Sequence, residues 1–324
     1  MAEISQLPWN ENCLPLMLAP MQGLTNRAMR RALIDWVHPD TVFTEFVRVC
    51  AVSRKRIANS DRIEAGAVHG DVPLVVQLVG NSAEGLIKAA QEVAARGAKH
   101  LNLNMGCPYG RMTTGQTGGA MLKDPGRLPE ILSGLRESFT GTLSVKLRAG
   151  FDDQRQIFAV LPMFETAGVD FLVLHPRLVI QKYSGKADHR VTTEVVRATA
   201  LPVIANGDIF TADVGWRILE QTGAAGLMLG RGVFSDPLLF ERLRRNEFHQ
   251  PTADEKVRNL CLLLQRLFDP YEELFCGQAQ VLAKLKGVLA AIEDTDLVGF
   301  ARELKRIRTY NLFRQRVLAA SLSA

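Results

Sequence analysis

Cys107 stands in the stretch LNLNMGCPYGRMTTGQTGGAMLKDP (101–125), where a short apolar run ends in Asn104, Gly106, Cys107 and Pro108 and passes into a Gly/Thr-rich loop before a helix begins near Pro125. A thiol on such a loop can be offered to a ligand, because the glycines tolerate positive φ and allow close approach; the competing reading is a small buried hydrophobe. Lys146 interrupts the apolar run SVKLRAG. A lysine directed into an apolar core without a partner costs several kcal/mol, so it needs either an acidic neighbour or an anionic or electron-rich ligand. His175 in FLVLHPR and Gln77 in VVQLVG also close or interrupt apolar runs.

These residues need elements to hold them. Apolar runs at 14–19, 41–46, 74–79, 100–103, 143–147, 171–174, 202–205 and 226–229 read as eight strands. Their Val/Leu/Ile/Met-rich, non-alternating character suits parallel strands covered on both faces. Helical patterns lie between them: 82–97 is amphipathic, with Ser82 as N-cap and Gly97 at its end, and 211–220 starts on Thr211. Eight βα units between residues 14 and 240 predict an α/β fold, a (β/α)8 TIM barrel of about 250 residues. A doubly wound open sheet competes, but neither a Gly-x-Gly-x-x-Gly after the first strand nor a Walker loop is present.

Barrel chemistry belongs at the C-terminal ends of the strands, and polar residues gather there. Pro20, Met21 and Gln22 follow the first strand, Glu45 and Arg48 accompany the second, Gln77 lies in the third, and Asn104 and Cys107 follow the fourth. Lys146 and Arg148 belong to the fifth, His175 and Arg177 to the sixth, Asn206, Gly207 and Asp208 to the seventh, and Gly230, Arg231 and Gly232 to the eighth. The last two clusters have the reading of plain turns, yet loops after strands seven and eight commonly hold a phosphate, to which Arg231 adds charge-assisted hydrogen bonds. Together they describe one phosphate-bearing planar cofactor, with Gln77, Lys146 and His175 around its ring and the thiol opposite. FMN suits the absence of a dinucleotide motif, and a lysine at its N1/O2 edge stabilises the reduced ring.

The 324 residues, 47% hydrophobic and 23% charged, exclude a disordered chain. No apolar run is long enough for a bilayer and the N-terminus has no basic region followed by an apolar core, which predicts a cytoplasmic protein with no membrane partner. Five widely spaced cysteines without a Cys-x-x-Cys pair argue for free thiols and against zinc. The net charge of +5 is a mild bias toward a polyanion. After Phe240 the pattern turns helical and polar, which predicts a barrel over 1–240 and a smaller all-α domain over 241–324. That second part carries 14 Lys/Arg against 11 Asp/Glu, six basic residues falling within ARELKRIRTYNLFRQR while Leu304, Ile307, Tyr310 and Phe313 can face inward. It is either a solvated bundle face or a surface for a phosphate backbone.

LAPMQGLTNRAMRR, TEFVRV, VQLVG, LNMGCP followed by GGAMLKDP, VKLRAG, the His-x-Arg of LHPR, PVIANGDI and LGRGVFSDPLLF together resemble the tRNA-dihydrouridine synthases over essentially the whole barrel. The resemblance implies an FMN-bound barrel with a C-terminal helical domain, reducing the C5–C6 double bond of a D-loop uridine in tRNA with NADPH as reductant. It implies FMN contacts at Pro20, Met21, Gln22, Gln77, Lys146, His175, Asn206, Gly207, Asp208, Gly230 and Arg231, a general acid at Cys107, and contacts to the base or nearby RNA at Asn104 and Arg177. TEFVRV and a Lys-x-Lys in a C-terminal helix are most similar to the C-type bacterial branch, which acts on position 16; this implies tRNA contacts at Arg48, Tyr183, Lys284 and Lys286. Asn102 stands where the family usually has Asp, and Pro176 and Leu178 flank Arg177 where a small residue and Thr are usual. No obligate protein partner is implied.

The implied reaction suits the residues. Hydride delivery to C6 leaves enolate-like charge on the uracil and requires a proton at C5 from the other face, which a cysteine thiol supplies. The uridine must leave its stack to reach the barrel mouth, which gives a basic helical domain the task of gripping the tRNA by shape and phosphates. Two alternatives remain. The chain also resembles dihydroorotate dehydrogenases, down to an Asn-x-x-Cys-Pro loop after strand four, and the other alternative is a non-catalytic tRNA-binding protein.

Overall fold

The computed structural model describes residues 7–10, 12–49, 57–109 and 116–323. Part of the Gly/Thr-rich loop after Cys107 (110–115), Cys50 and the first six residues lie outside the described residues. Nine strands occur among those described: β1 (Leu16–Leu18), β2 (Thr41–Phe43), β3 (Val47–Arg48), β4 (Leu74–Val79), β5 (His100–Met105), β6 (Thr142–Gly150), β7 (Phe171–Leu178), β8 (Val203–Asn206) and β9 (Gly226–Leu229). The helices are α1 (Arg27–Val37), α2 (Asn59–Ala65), α3 (Ala83–Ala94), α4 (Leu128–Ser138), α5 (Gln156–Thr166), α6 (His189–Ala198), α7 (Ala212–Thr222), α8 (Gly232–Ser235), α9 (Leu239–Arg245), α10 (Ala253–Leu274), α11 (Gln278–Ala290), α12 (Thr295–Arg306) and α13 (Tyr310–Ser323).

The sheet runs β2-β1-β9-β8-β7-β6-β5-β4-β3, and β2 also pairs with β4, which closes it. The two residues of β3 resume the path of β2 along β4, pairing Val47 with Leu78 and Arg48 with Val79, so the ring has the eight parallel strands of a TIM barrel. The break between β2 and β3 has a local cause: the Thr44 hydroxyl accepts the Gln77 N–H at 3.0 Å, a bond that a backbone carbonyl would otherwise make. Three strands run two or more residues further than their apolar cores suggest. β5 continues to Met105, β6 to Gly150 and β7 to Leu178, which places Asn104, Arg148, His175 and Arg177 within strands.

Strand side chains alternate between faces, and this alternation sorts the chain into structure and chemistry. Val76 and Leu78, Leu101, Leu103 and Met105, Leu143, Val145 and Leu147, and Leu172 and Leu174 form one core with Leu86, Ala89, Ala90 and Val93 of α3 and with α4 and α5. The opposite parity carries Gln77, Asn102, Asn104, Ser144, Lys146, Arg148, His175 and Arg177, directed to the barrel interior. The crossover helices are capped as the sequence indicates, Ser82 accepting from Gly85 N and Thr211 from Val214 N.

The chain divides into two compact units. The first comprises 1–20, 40–208 and 217–228; the second comprises 21–39, 209–216 and 229–324. The second is organised on α10, which opens with a reciprocal capping box between Thr252 and Glu255 and buries Leu260, Cys261, Leu263, Leu264, Leu267, Phe268 and Tyr271. Leu285 of α11, Leu297 and Leu304 of α12, and Phe313 and Val317 of α13 are likewise buried. Lys256 Nζ ties α10 to the start of α12 through Asp294 at 2.9 Å and Asp296 at 2.7 Å. Tyr310 is buried but Ile307 only in part, because α12 ends there and the chain turns before α13.

Candidate active site

The interior of the first unit contains a continuous polar layer. Gln77, Asn102 and Ser144 occupy matched positions on β4, β5 and β6, and Asn104 is matched with Lys146. Asn104 anchors the cysteine loop: its Oδ1 accepts from Gly106 N at 3.1 Å and from Cys107 N at 3.0 Å. Its Nδ2 donates to Gln77 Oε1 at 2.8 Å. Gln77 is fully buried.

The Cys107 loop is held from two further sides. Gly119 N donates to Cys107 O at 3.2 Å. Gly118 lies at φ +57 with the position of a Cβ only 3.2 Å from Cys107 Cβ, so the glycine pair provides the close approach that a side chain would prevent. Arg148, 1% exposed, donates to Gly106 O at 3.0 Å, Leu178 O at 2.9 Å and Lys182 O at 2.5 Å. One guanidinium thus joins the cysteine loop to the turn after β7, and it lies 5.3 Å from the centre of the Tyr183 ring. Tyr183 and Tyr109 are both exposed, their ring centres 6.2 Å apart.

Lys146 Nζ donates to Asn206 Oδ1 at 2.9 Å, and Asn206 Nδ2 donates to Met228 O at 2.8 Å. Burial brings the lysine down from its ordinary range to about 7; the neighbouring Arg148 charge pushes the same way, and Cys107 opposes it. No carboxylate among the described residues forms a salt bridge with this lysine. His175 Nε2 faces Arg177 Nη1 at 3.0 Å. A guanidinium only donates, so that ring nitrogen is the acceptor and the imidazole proton sits on Nδ1. Arg177 also donates to Asp208 Oδ2 at 2.8 Å and Gly185 O at 2.6 Å. Gly207, at φ +119, passes so close to His175 that a Cβ would lie 2.8 Å from its Cδ2.

The residues expected at FMN therefore divide between the units. Pro20, Gln77, Lys146, His175, Asn206, Gly207 and Asp208 belong to the first, and Met21, Gln22, Gly230 and Arg231 to the second. In the second unit, Met21 N donates to Thr25 Oγ1 at 2.8 Å, Gln22 is exposed and Arg231 is ion-paired with Glu293. Of the residues expected at RNA, Arg48 and Tyr183 are exposed and Lys284 and Lys286 half-buried. Lys284 Nζ lies 5.1 Å from the centre of the Phe275 ring. Arg177, expected at the base or nearby RNA, is 3% exposed and engaged with His175 and Asp208. Asn102, Ser144 and Arg148 had no assigned role from sequence. Their shared parity with Gln77, Asn104 and Lys146 is the signal that identifies them.

A family model described as dihydrouridine synthase matches residues 17–309. The chain belongs to the dihydrouridine synthase family. A probable tRNA-dihydrouridine synthase of Rhodobacter capsulatus is 34% identical over 224 residues, covering 69% of this chain and 68% of that relative. The tRNA-dihydrouridine synthase B of Pseudomonas aeruginosa is 33% identical over 245 residues, covering 74% and 72%. Among solved structures, an old yellow enzyme homologue from Zymomonas mobilis superposes with a TM-score of 0.54 at 12% identity, covering 75% of this chain and 91% of that one. Morphinone reductase superposes with a TM-score of 0.51 at 13% identity over 75% and 88%. At such identities the structural likeness speaks for the barrel fold. Family membership sets the chain apart from the dihydroorotate dehydrogenases. Among the described residues, no helix is long and apolar enough to cross a membrane.

Proposed function

We propose that this chain is a tRNA-dihydrouridine synthase that reduces the C5–C6 bond of a D-loop uridine, with FMN as cofactor and NADPH as reductant. The observation that carries the reading is Lys146: a cation in the barrel interior, held by a neutral amide and without a carboxylate salt bridge among the described residues, suits an electron-rich ring edge. Lys146, Gln77, His175 and Asn206 would hold the flavin ring, and the loop around Gly207 its phosphate. A flavin held there would supply the hydride for C6 of the base.

The chain's own residues supply the remainder. Asn104 donates its free Nδ2–H to a carbonyl of the uracil and stabilises the charge that develops on it. Cys107 delivers its thiol proton to C5 from the opposite face and is restored from solvent. Each cycle consumes one NADPH and one proton per dihydrouridine formed. Tyr183 and Arg48 meet the RNA beside the mouth, while Lys284 and Lys286 act on the phosphate backbone. The C-type resemblance of TEFVRV and the Lys284/Lys286 pair points to position 16, whereas the Pseudomonas aeruginosa relative is named B-type.

The test is the absorbance spectrum of the purified protein together with mass-spectrometric mapping of dihydrouridine in tRNA from cells lacking the gene. A yellow protein and loss of one D-loop dihydrouridine support the reading and identify the position. A colourless protein that binds tRNA points to the non-catalytic alternative, and intact dihydrouridine in the deletion strain contradicts the proposal.

A further inference from the structure

The polar layer of the barrel forms a hydrogen-bond chain whose direction is fixed from both ends. At one end, Gly106 and Cys107 present backbone N–H groups, which only donate, so the atom of Asn104 that receives them is its oxygen. Its amide nitrogen therefore donates to Gln77 Oε1, which leaves Gln77 Nε2 to donate to Asn102 Oδ1 at 2.7 Å. Asn102 Nδ2 in turn donates to Ser144 Oγ at 2.8 Å. At the other end, the Ser144 hydroxyl donates to the Leu101 carbonyl at 3.1 Å, an obligatory acceptor. No link can be reversed without leaving a donor facing a donor. Asn102, Gln77 and Ser144 are completely buried, where water cannot replace a lost partner.

This arrangement constrains what Asn104 offers. Two backbone N–H groups occupy its oxygen and Gln77 takes one of its two amide hydrogens, so a single N–H is left for a ligand. Such a group pairs with a carbonyl and not with a ring N–H or an exocyclic amine, which favours a uracil carbonyl over the amino group of cytosine.

We infer that Asn102 is a positioning residue for uridine reduction: acting through Gln77, it holds the Asn104 amide as a one-hydrogen donor and, with it, the backbone of Cys107. The inference deepens the proposed function and rests on it for its catalytic consequence, but its structural content is independent of that reading.

The experiment compares Asn102→Leu, Asn102→Asp and Ser144→Ala in the purified full-length protein by amide hydrogen exchange, followed by rapid-mixing kinetics. Asn102→Leu removes the acceptor for Gln77 at similar volume, Asn102→Asp restores an acceptor, and Ser144→Ala opens the chain one link further out should the leucine variant fail to fold. Exchange at Gly106 and Cys107 is expected to quicken about fivefold to tenfold in Asn102→Leu, the loss of roughly one hydrogen bond. It should change less in Ser144→Ala and return to within about twofold of wild type in Asn102→Asp, while β8 and β9 keep their wild-type rates. With NADPH and tRNA, kcat for uridine reduction falls by about tenfold in Asn102→Leu, while KM for tRNA stays unchanged. Wild-type exchange at Gly106 and Cys107 in both Asn102→Leu and Ser144→Ala would overturn the inference, as would faster exchange spread evenly over the barrel. Localised exchange in a protein that reduces no uridine would uphold the positioning chain and refute the proposed function.

Discussion

Lys146 Nζ lies 2.9 Å from Asn206 Oδ1, so the lysine of β6 is held past the intervening β7 by a neutral amide of β8. The pair gives the interior a cation whose proton is weakly held, at about 7. An electron-rich ligand edge beside it restores the ammonium, which couples ligand binding to proton uptake.

That coupling gives a pH dependence of known sign. The folded lysine titrates near 7 and the unfolded one near 10.5, so between these values the unfolded chain binds more protons and stability rises with pH. In the flavin-free protein, denaturant titrations are expected to show Lys146 contributing about 2 kcal/mol more stability at pH 9 than at pH 7. Lys146→Met should lack this component, and parallel curves for the two proteins would show that the lysine titrates normally.

Cys107→Ala should leave flavin binding and NADPH oxidation intact while slowing uridine reduction by about 10² to 10⁴, the contribution of a positioned general acid. Single-turnover reduction of tRNA by the pre-reduced enzyme measures this step. An unchanged rate would remove Cys107 from the proton transfer.

Arg148 supports three carbonyls from the interior. Arg148→Met leaves Gly106 O, Leu178 O and Lys182 O without that donor and should cost about 2 to 4 kcal/mol in equilibrium unfolding. Arg148→Lys should recover less than half, since an ammonium does not reproduce the planar fork. Wild-type stability in the methionine variant would mean that these carbonyls find other donors.

Much of this was legible in the sequence, for definite reasons. Each of the eight strands was visible because a parallel strand in a barrel reads as a short, largely apolar run without polar alternation, and 74–79 and 226–229 coincide with β4 and β9. The extensions of β5, β6 and β7 were not visible, because Asn104, Arg148, His175 and Arg177 look like strand ends when the interior of the barrel is polar. The residues expected to do chemistry share one parity with Asn102 and Ser144, yet Asn102 reads as a departure from a family pattern and Ser144 as an ordinary strand residue. Only the register of β4, β5 and β6 joins them to Cys107. The interior place of Arg177 was equally hidden, since its ion pair with Asp208 spans 31 residues of sequence.

Lys284 and Lys286 provide a test of the RNA reading that is separate from the chemistry. Replacing both with Ala should weaken tRNA binding and reduce the magnitude of the slope of log K against log salt by about 1.5. Filter binding at several salt concentrations measures this. Unaltered slopes would place the tRNA elsewhere, and slower NADPH oxidation without tRNA would indicate a fault in the barrel instead.

Reduction of uridine by this barrel is tested most directly with the purified protein, NADPH and tRNA isolated from cells lacking the gene, with dihydrouridine mapped by mass spectrometry. One new dihydrouridine in the D-loop, one NADPH oxidised for each, and loss of the product with Cys107→Ala are expected. NADPH oxidation with no dihydrouridine at any position of the tRNA would contradict the proposed function.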